Sequence, residues 1–148
     1  MTRSSRILHP SDFSPASARA FTEAVARAKA GRAELMLVHV LAPVGPMVGD
    51  GYVAAETIDA IERSGRQHAE RRLAALAARA RKAGVRISTR LLEGPPWQAI
   101  TRAAKAHRAG LIVMGTHGRG GLAKMFLGSV AERVIATAPC AVLTVRGR

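Results

Sequence analysis

The stretch that decides the fold is LIVMGTHGRGGLAKMFLGS, Leu111 to Ser129. Its first residues form a short apolar run that ends at glycine, the pattern of a buried strand. The chain then passes through Gly115–Ser129. This segment holds five glycines, three basic residues (His117, Arg119, Lys124) and no carboxylate. A helix is expected to open near Ser129 and to end before Pro139. Glycine is entropically costly in a folded chain, so this density needs a physical reason.

Working outward, the same alternation runs through the chain. Four more apolar runs read as strands: RILHP near Arg6–Leu8, AELMLVHVL near Glu34–Leu41, VRISTRLL near Val85–Leu92, and AVLTV at Ala141–Val145. Between them lie helical patterns. Ser14 followed by Pro15 is an N-cap with proline at the first helical position, and that helix runs to about Ala30. A long helix covers about Ala54–Ala83, and a third covers Pro96–His107. Gly31, Gly84 and Gly110 stand just past these ends, where a left-handed conformation is expected.

Strict alternation of strand and helix predicts an α/β fold of the Rossmann-like kind. It is a three-layer sandwich with a five-stranded parallel sheet of order 3-2-1-4-5 and helices on both faces. At 148 residues the chain is expected to form one domain, residues 1–148. Ala42–Val53 is the long connection, with no strand expected in it.

Composition narrows the partners. With 23 Lys+Arg against 10 Asp+Glu, the net charge of +13 favours anionic ligands. A basic run over residues 59–86 carries eight Lys/Arg and three acids. Leu73, Leu76 and Ala80 recur there at helical spacing and should face the sheet, leaving the charges on a solvated face. No aromatic stacking platform accompanies this run, which argues against RNA binding. No apolar segment is long enough to span a bilayer or to read as a signal peptide. One cysteine, Cys140, fits a reducing cytoplasm and a packed, inert thiol. The five histidines show no metal-ligand spacing; His9 and His39 end adjacent strands and are expected to meet as a structural pair. Trp97 is expected to anchor the third helix against the sheet.

In such a sheet, ligands bind beyond the carboxyl ends of the strands where the strand order reverses. That point lies between the first and fourth strands. The loop after the first strand is HPSDFSP, His9–Pro15. Topology therefore sets Asp12 beside the glycine-rich segment. Gly115 and Gly118 would bring backbone N–H groups close to a ligand. Gly128 and Ser129 open a helix whose free N–H groups and dipole suit a phosphate. Arg119 and Lys124 add charge, and His117 could donate to a phosphate.

Plainer readings stand beside these. Asp12 either accepts from ribose hydroxyls or bonds its own turn. Ser129 and Glu132 match a capping box, S-x-x-E. Lys124 either adds charge to the site or is only a solvated surface lysine. Known signatures fit poorly: there is no GK pair for a P-loop. GRGGLA (Gly118–Ala123) matches the dinucleotide fingerprint after the wrong strand and without its acidic residue.

GTHGRGGLAKMFLGSVAERV resembles the nucleotide-binding signature of universal stress proteins, G-x2-G-x9-G-[S/T]. Gly115, Gly118, Gly128 and Ser129 meet that spacing. ILHPSDFSPAS resembles the family's first strand and turn, LVHVL its second strand, and GSVAERVIATAPCAVLTV its last unit. The resemblance implies the ATP-binding branch, a homodimer, and ATP with Mg²⁺ as ligand. It implies that Asp12 contacts the ribose and Val40 the adenine. Pro10, Ser11 and Met114 would line the base and sugar pocket. Gly115, Gly118, Gly128, Ser129 and Val130 would surround the phosphates, with Thr116, His117 and Arg119 in the same loop. No catalytic residue and no metal ligand is assigned. Phosphoryl transfer needs a group that activates a nucleophile, and the one carboxylate there, Asp12, goes to ribose. The implied role is a nucleotide-dependent stress-response module. The alternatives are a slow ATPase or phosphotransferase, or a scaffold that takes AMP or another nucleotide. The last strand, Ala141–Val145, is an apolar edge expected to pair with a second copy.

Overall fold

The computed structural model describes residues 5–41, 47–48, 51–52, 54–116 and 128–147. The elements run β1 (Arg6–Pro10), α1 (Pro15–Gly31), β2 (Glu34–Leu41), β3 (Met47–Val48), β4 (Gly51–Tyr52), α2 (Ala55–Lys82), β5 (Ile87–Glu93), α3 (Pro96–Ala106), β6 (Leu111–Gly115), α4 (Ser129–Thr137) and β7 (Ala141–Val145). The main sheet has the order β5-β2-β1-β6-β7, and each neighbouring pair is parallel. That is the expected 3-2-1-4-5 order. β3 and β4 form a separate antiparallel pair in which Met47 faces Tyr52 and Val48 faces Gly51. The expectation of a strandless connection there is corrected. The signal was present in GDG, a turn-forming sequence between two short apolar arms.

Helices cover both faces. On one, Ile7, Leu35, Leu37 and Val113 pack against Ala20, Phe21 and Ala24 of α1 and Leu73 and Ala80 of α2. On the other, Leu8, Met36, Val38 and Ile112 pack against Ile100, Ala103 and Ala104 of α3 and Ala131 and Val134 of α4. Residues adjacent in a strand point to opposite faces, so each central strand is apolar throughout. Leu8, Leu35, Leu37 and Ile112 are fully buried. Each contributes on the order of 2 kcal/mol by leaving water.

The C-termini of α1, α2 and α3 share one solution. The Ala33 N–H donates to Ala28 O, Val85 to Ala80 O and Ala109 to Ala104 O, all within 3.0 Å. These six-residue closures are Schellman motifs, and each needs a left-handed residue one position earlier. Gly84 fills it in α2 at φ +87. In α1 and α3 it falls to Arg32 (φ 52) and Arg108 (φ 53), not to Gly31 or Gly110. α1 runs one residue further than expected and takes Gly31 into its last turn. The apolar contact of the motif decides the register: Ala28, Ala33, Ala80, Val85, Ala104 and Ala109 are all buried. That contact offsets the cost, of order 1 kcal/mol, of a side chain in the left-handed region.

On α2, Ala69, Leu73, Ala77 and Ala80 are buried and Leu76 packs beside them, as the spacing predicts. Two of the arginines are not simply solvated. The Arg72 guanidinium lies 5.1 Å from the Phe13 ring centroid, and Arg79 lies 5.4 Å from that of Phe21. No helix among the described residues is long and apolar enough to cross a membrane.

Candidate functional site

β1 pairs with β2 on one side and β6 on the other, so the strand order reverses between β1 and β6. The turn after β1 is built from its own polar groups. The Ser11 N–H donates to Val38 O at 2.8 Å, which holds the turn on β2. Asp12 Oδ1 accepts from the Ser14 N–H at 2.9 Å and from the Ser17 hydroxyl at 2.6 Å. The first contact is an Asx-turn, so the plainer reading of Asp12 is realised. Ser14 Oγ in turn accepts from the Ser17 N–H at 3.2 Å, the N-cap contact expected of it. These bonds orient the carboxylate from the first turn of α1.

Phe13 was not singled out in the sequence, yet it fixes this turn. Its φ of 64 is strained for an aromatic residue. Its ring stacks on His39 at 4.4 Å with an interplanar angle of 21°, and Arg72 covers it from α2. His39 Nδ1 donates to Ser11 O at 2.7 Å. The strained residue is thus clamped between β2 and α2.

At the other wall, Thr116 joins three elements. Its N–H donates to Val145 O at 3.0 Å, and its carbonyl accepts from the Gly128 N–H at 2.7 Å. The second bond sets the start of α4 beside the end of β6. Gly128, which has no side chain, is the N-cap of α4, so Ser129 is not the N-cap and the capping box of Ser129 with Glu132 does not form. Ser129 is the first helical residue and is exposed.

Gly115 has a reason other than the one expected. A Cβ there would lie 3.1 Å from the carbonyl carbon and Cβ of Ala16. A Cβ at Gly147 would lie 2.8 Å from the Ala16 Cβ. Both glycines let main chain approach the first turn of α1, and this packing accounts for Gly115 without a ligand.

The remaining candidates divide by exposure. Asp12, Val40, Gly115, Gly128 and Val130 are half-buried and Ser129 is exposed, while Pro10, Ser11, Met114 and Thr116 are buried. Val40 and Met114 lie on the α3/α4 face of the sheet. His117, Gly118, Arg119 and Lys124 lie outside the described residues.

His9 and His39 do not meet as a pair. His9 is fully buried beside Phe21, with ring centroids 5.9 Å apart, and its Nδ1 donates to Val113 O at 2.7 Å. The register explains this: His9 stands opposite Leu37, so His39 lies two residues further along. Burial lowers the His9 pKa to about 4, against opposing contributions from the Val113 carbonyl and Asp12. Burial raises the pKa of the Cys140 thiol, which suits an inert side chain. Trp97 packs on the α3/α4 face under the Arg133 guanidinium, 5.5 Å from its ring centroid. Among the described residues, no three His, Cys, Asp or Glu side chains gather as a metal site.

The sheet order and its reversal between β1 and β6 define a doubly wound α/β protein of the kind that takes ligands at the strand ends. The model of the universal stress protein family matches residues 4–146, and the chain belongs to that family. It is 39% identical over 140 residues to a universal stress protein of Thermus aquaticus, covering 95% of this chain and 97% of the relative. The universal stress protein UspA from Lactobacillus plantarum superposes with a TM-score of 0.84 at 26% identity, covering 99% of this chain and 100% of the other. Two further solved structures are complexes with an adenine nucleotide. A universal stress protein in complex with cAMP has a TM-score of 0.69 at 26% identity, covering 99% of this chain and 100% of its own. The universal stress protein from Archaeoglobus fulgidus in complex with dAMP has a TM-score of 0.67 at 26% identity, covering 98% and 99%.

Proposed function

We infer that the protein binds an adenine nucleotide, ATP with Mg²⁺, between the ends of β1 and β6, and acts as a nucleotide-dependent regulatory module. The observation that carries this reading is the Thr116–Gly128 bond. It sets the start of α4, whose N-cap is a glycine, beside the end of β6, on the side of the sheet ends that carries Asp12 and Val40. The first-turn N–H groups at Ser129 and Val130 suit phosphate oxygens, with His117, Gly118 and Arg119 following Thr116 in the same loop of the sequence. Asp12, oriented by Ser14 and Ser17, accepts from ribose, and Val40 packs on the base.

Mg²⁺, when bound, neutralises charge between the phosphates. The described residues offer it no cluster of ligands, so phosphate and water supply most of its shell. With Asp12 tied to α1 and assigned to ribose, the site suits holding a nucleotide rather than rapid turnover. A monophosphate is the second reading, favoured by the cAMP and dAMP complexes of structural neighbours. The outer edge of β7 pairs with no described strand and includes half-buried Val142, Leu143 and Val145. It supports the reading of a homodimer through Ala141–Val145, which a monomer in sedimentation analysis would contradict.

The site is tested with Asp12→Asn. The amide oxygen can still accept from Ser14 and Ser17, so the turn and the folding stability should survive. The charge-assisted bond to ribose is lost, and ATP affinity should fall about tenfold. Wild-type affinity in a folded Asp12→Asn protein would remove Asp12 from the site.

A further inference from the structure

A groove of about 720 Å³ runs along the outer edge of β5, between α2 and α3. Leu73 and Arg66 line one wall, Ala103 and Arg102 the other, with Arg90 and His107 along the edge. β5 is an edge strand: β2 pairs with it through seven residues, and no described strand lies on its other side. The Leu35 N–H donates to Arg86 O at 2.9 Å, so Arg86 turns its main-chain groups toward β2. Main-chain direction alternates along a strand. The N–H and C=O groups of Ile87, Thr89, Leu91 and Glu93 therefore face outward.

The side chains divide by the same alternation. Ile87 and Leu91 pack on the α1/α2 face, and Leu92 packs on the α3/α4 face. Arg90 shares the parity of Leu92 and lies on the α3 side with Arg102 and His107. Glu93 neutralises Arg66, but neither Arg90 nor Arg102 is in an ion pair among the described residues. Burial and then the Arg90 and Arg6 guanidiniums hold His107 below its ordinary pKa, against the pull of Glu34. Proteins usually blunt an edge of this kind by shortening or covering it. Here it is seven residues long and flanked by alanines that leave room for an added chain.

We propose that the β5 edge takes up an extended acidic segment of another protein by strand addition. The main chain of that segment bonds the outward groups of β5, and its carboxylates meet Arg90 and Arg102. A second copy of this chain is the poorer occupant. A twofold antiparallel pairing of β5 would set Arg90, at the middle of the strand, against itself.

The test uses the full chain and a fluorescent peptide of about ten residues alternating valine with glutamate, the length of a strand with its flanks. Alternation puts every carboxylate on one face. Fluorescence anisotropy should show saturable binding, at least about tenfold weaker in Arg90→Glu/Arg102→Glu. The exposed pair Arg90→Ala/Arg102→Ala serves as a milder variant should the reversal disturb folding. A peptide of the same composition with alternate amides N-methylated should fail to bind, because strand addition needs those donors. Equal binding of the N-methylated peptide would overturn the proposal in favour of general attraction to a basic chain. So would unchanged affinity in both double variants, or no binding to wild type. Self-association that changes when Arg90 alone is altered would assign the edge to a second copy and also overturn it.

Discussion

Lowering the pH from 7 to 4 should destabilise the protein by about 3 kcal/mol through His9 alone. The imidazole is fully buried, and its Nδ1 already donates to the Val113 carbonyl. A second proton must therefore go to Nε2, which is buried with no hydrogen-bond partner among the described residues. Charging the ring there forfeits its hydration and gains no acceptor. The folded-state pKa falls to about 4 from an ordinary value of 6.5. A histidine with a lowered folded pKa binds protons more readily in the unfolded chain. Its contribution is fully present above pH 6.5, is lost as pH falls from there to about 4, and changes little below. Carboxylates titrate over the lower part of that window, so the His9 share is read as a difference. Urea unfolding of wild type and His9→Gln at pH 7 and pH 4 should show about 3 kcal/mol more acid loss in wild type. Equal losses would contradict the burial of a neutral His9.

Gly115→Val should cost about 3 kcal/mol or more of folding stability. A Cβ at this position meets the Ala16 carbonyl carbon and Cβ at 3.1 Å and the Ala16 carbonyl oxygen at 3.2 Å. Two of these atoms are main chain in the first turn of α1, and neither can rotate away. Relief requires moving α1 off the end of β6, and overpacking of this kind costs about 1–3 kcal/mol before the branched methyls are counted. Gly115→Ala should cost less, about 1–2 kcal/mol, because it adds only the first atom. The two variants separate packing from ligand contact. If Gly115 served only a bound nucleotide, both would unfold like wild type in nucleotide-free buffer.

The fold was legible because strand and helix alternate and each strand is apolar on both faces. Leu35–Val38 is buried at every position, the run expected of a parallel sheet covered on both faces. The helix ends were legible only in outline. Glycines mark them, but the left-handed residues at Arg32 and Arg108 were chosen by tertiary packing of Ala28, Ala33, Ala104 and Ala109. A local rule that looks for glycine cannot see that contact. The β3–β4 pair was missed because its arms are two residues each, too short for periodicity to register.

The site was legible to the level of its loops. Topology brings Asp12, Gly115 and Gly128 to one place, as the strand order requires. The roles within it were less so. Asp12 bonds its own turn and Ser129 makes no cap, and Gly115 is explained by Ala16. The clamp on Phe13 joins residues from β2 and α2 that lie far apart in sequence, and only the folded chain shows it.

Binding of an adenine nucleotide between the ends of β1 and β6 is measured by calorimetric titration of ATP into nucleotide-free protein, with and without Mg²⁺ and beside AMP and cAMP. Adenine nucleotide should bind saturably at one site per chain, most tightly as ATP with Mg²⁺ and about tenfold more weakly in Asp12→Asn. No heat and no competition with any of the three nucleotides, in protein that is folded, would contradict it.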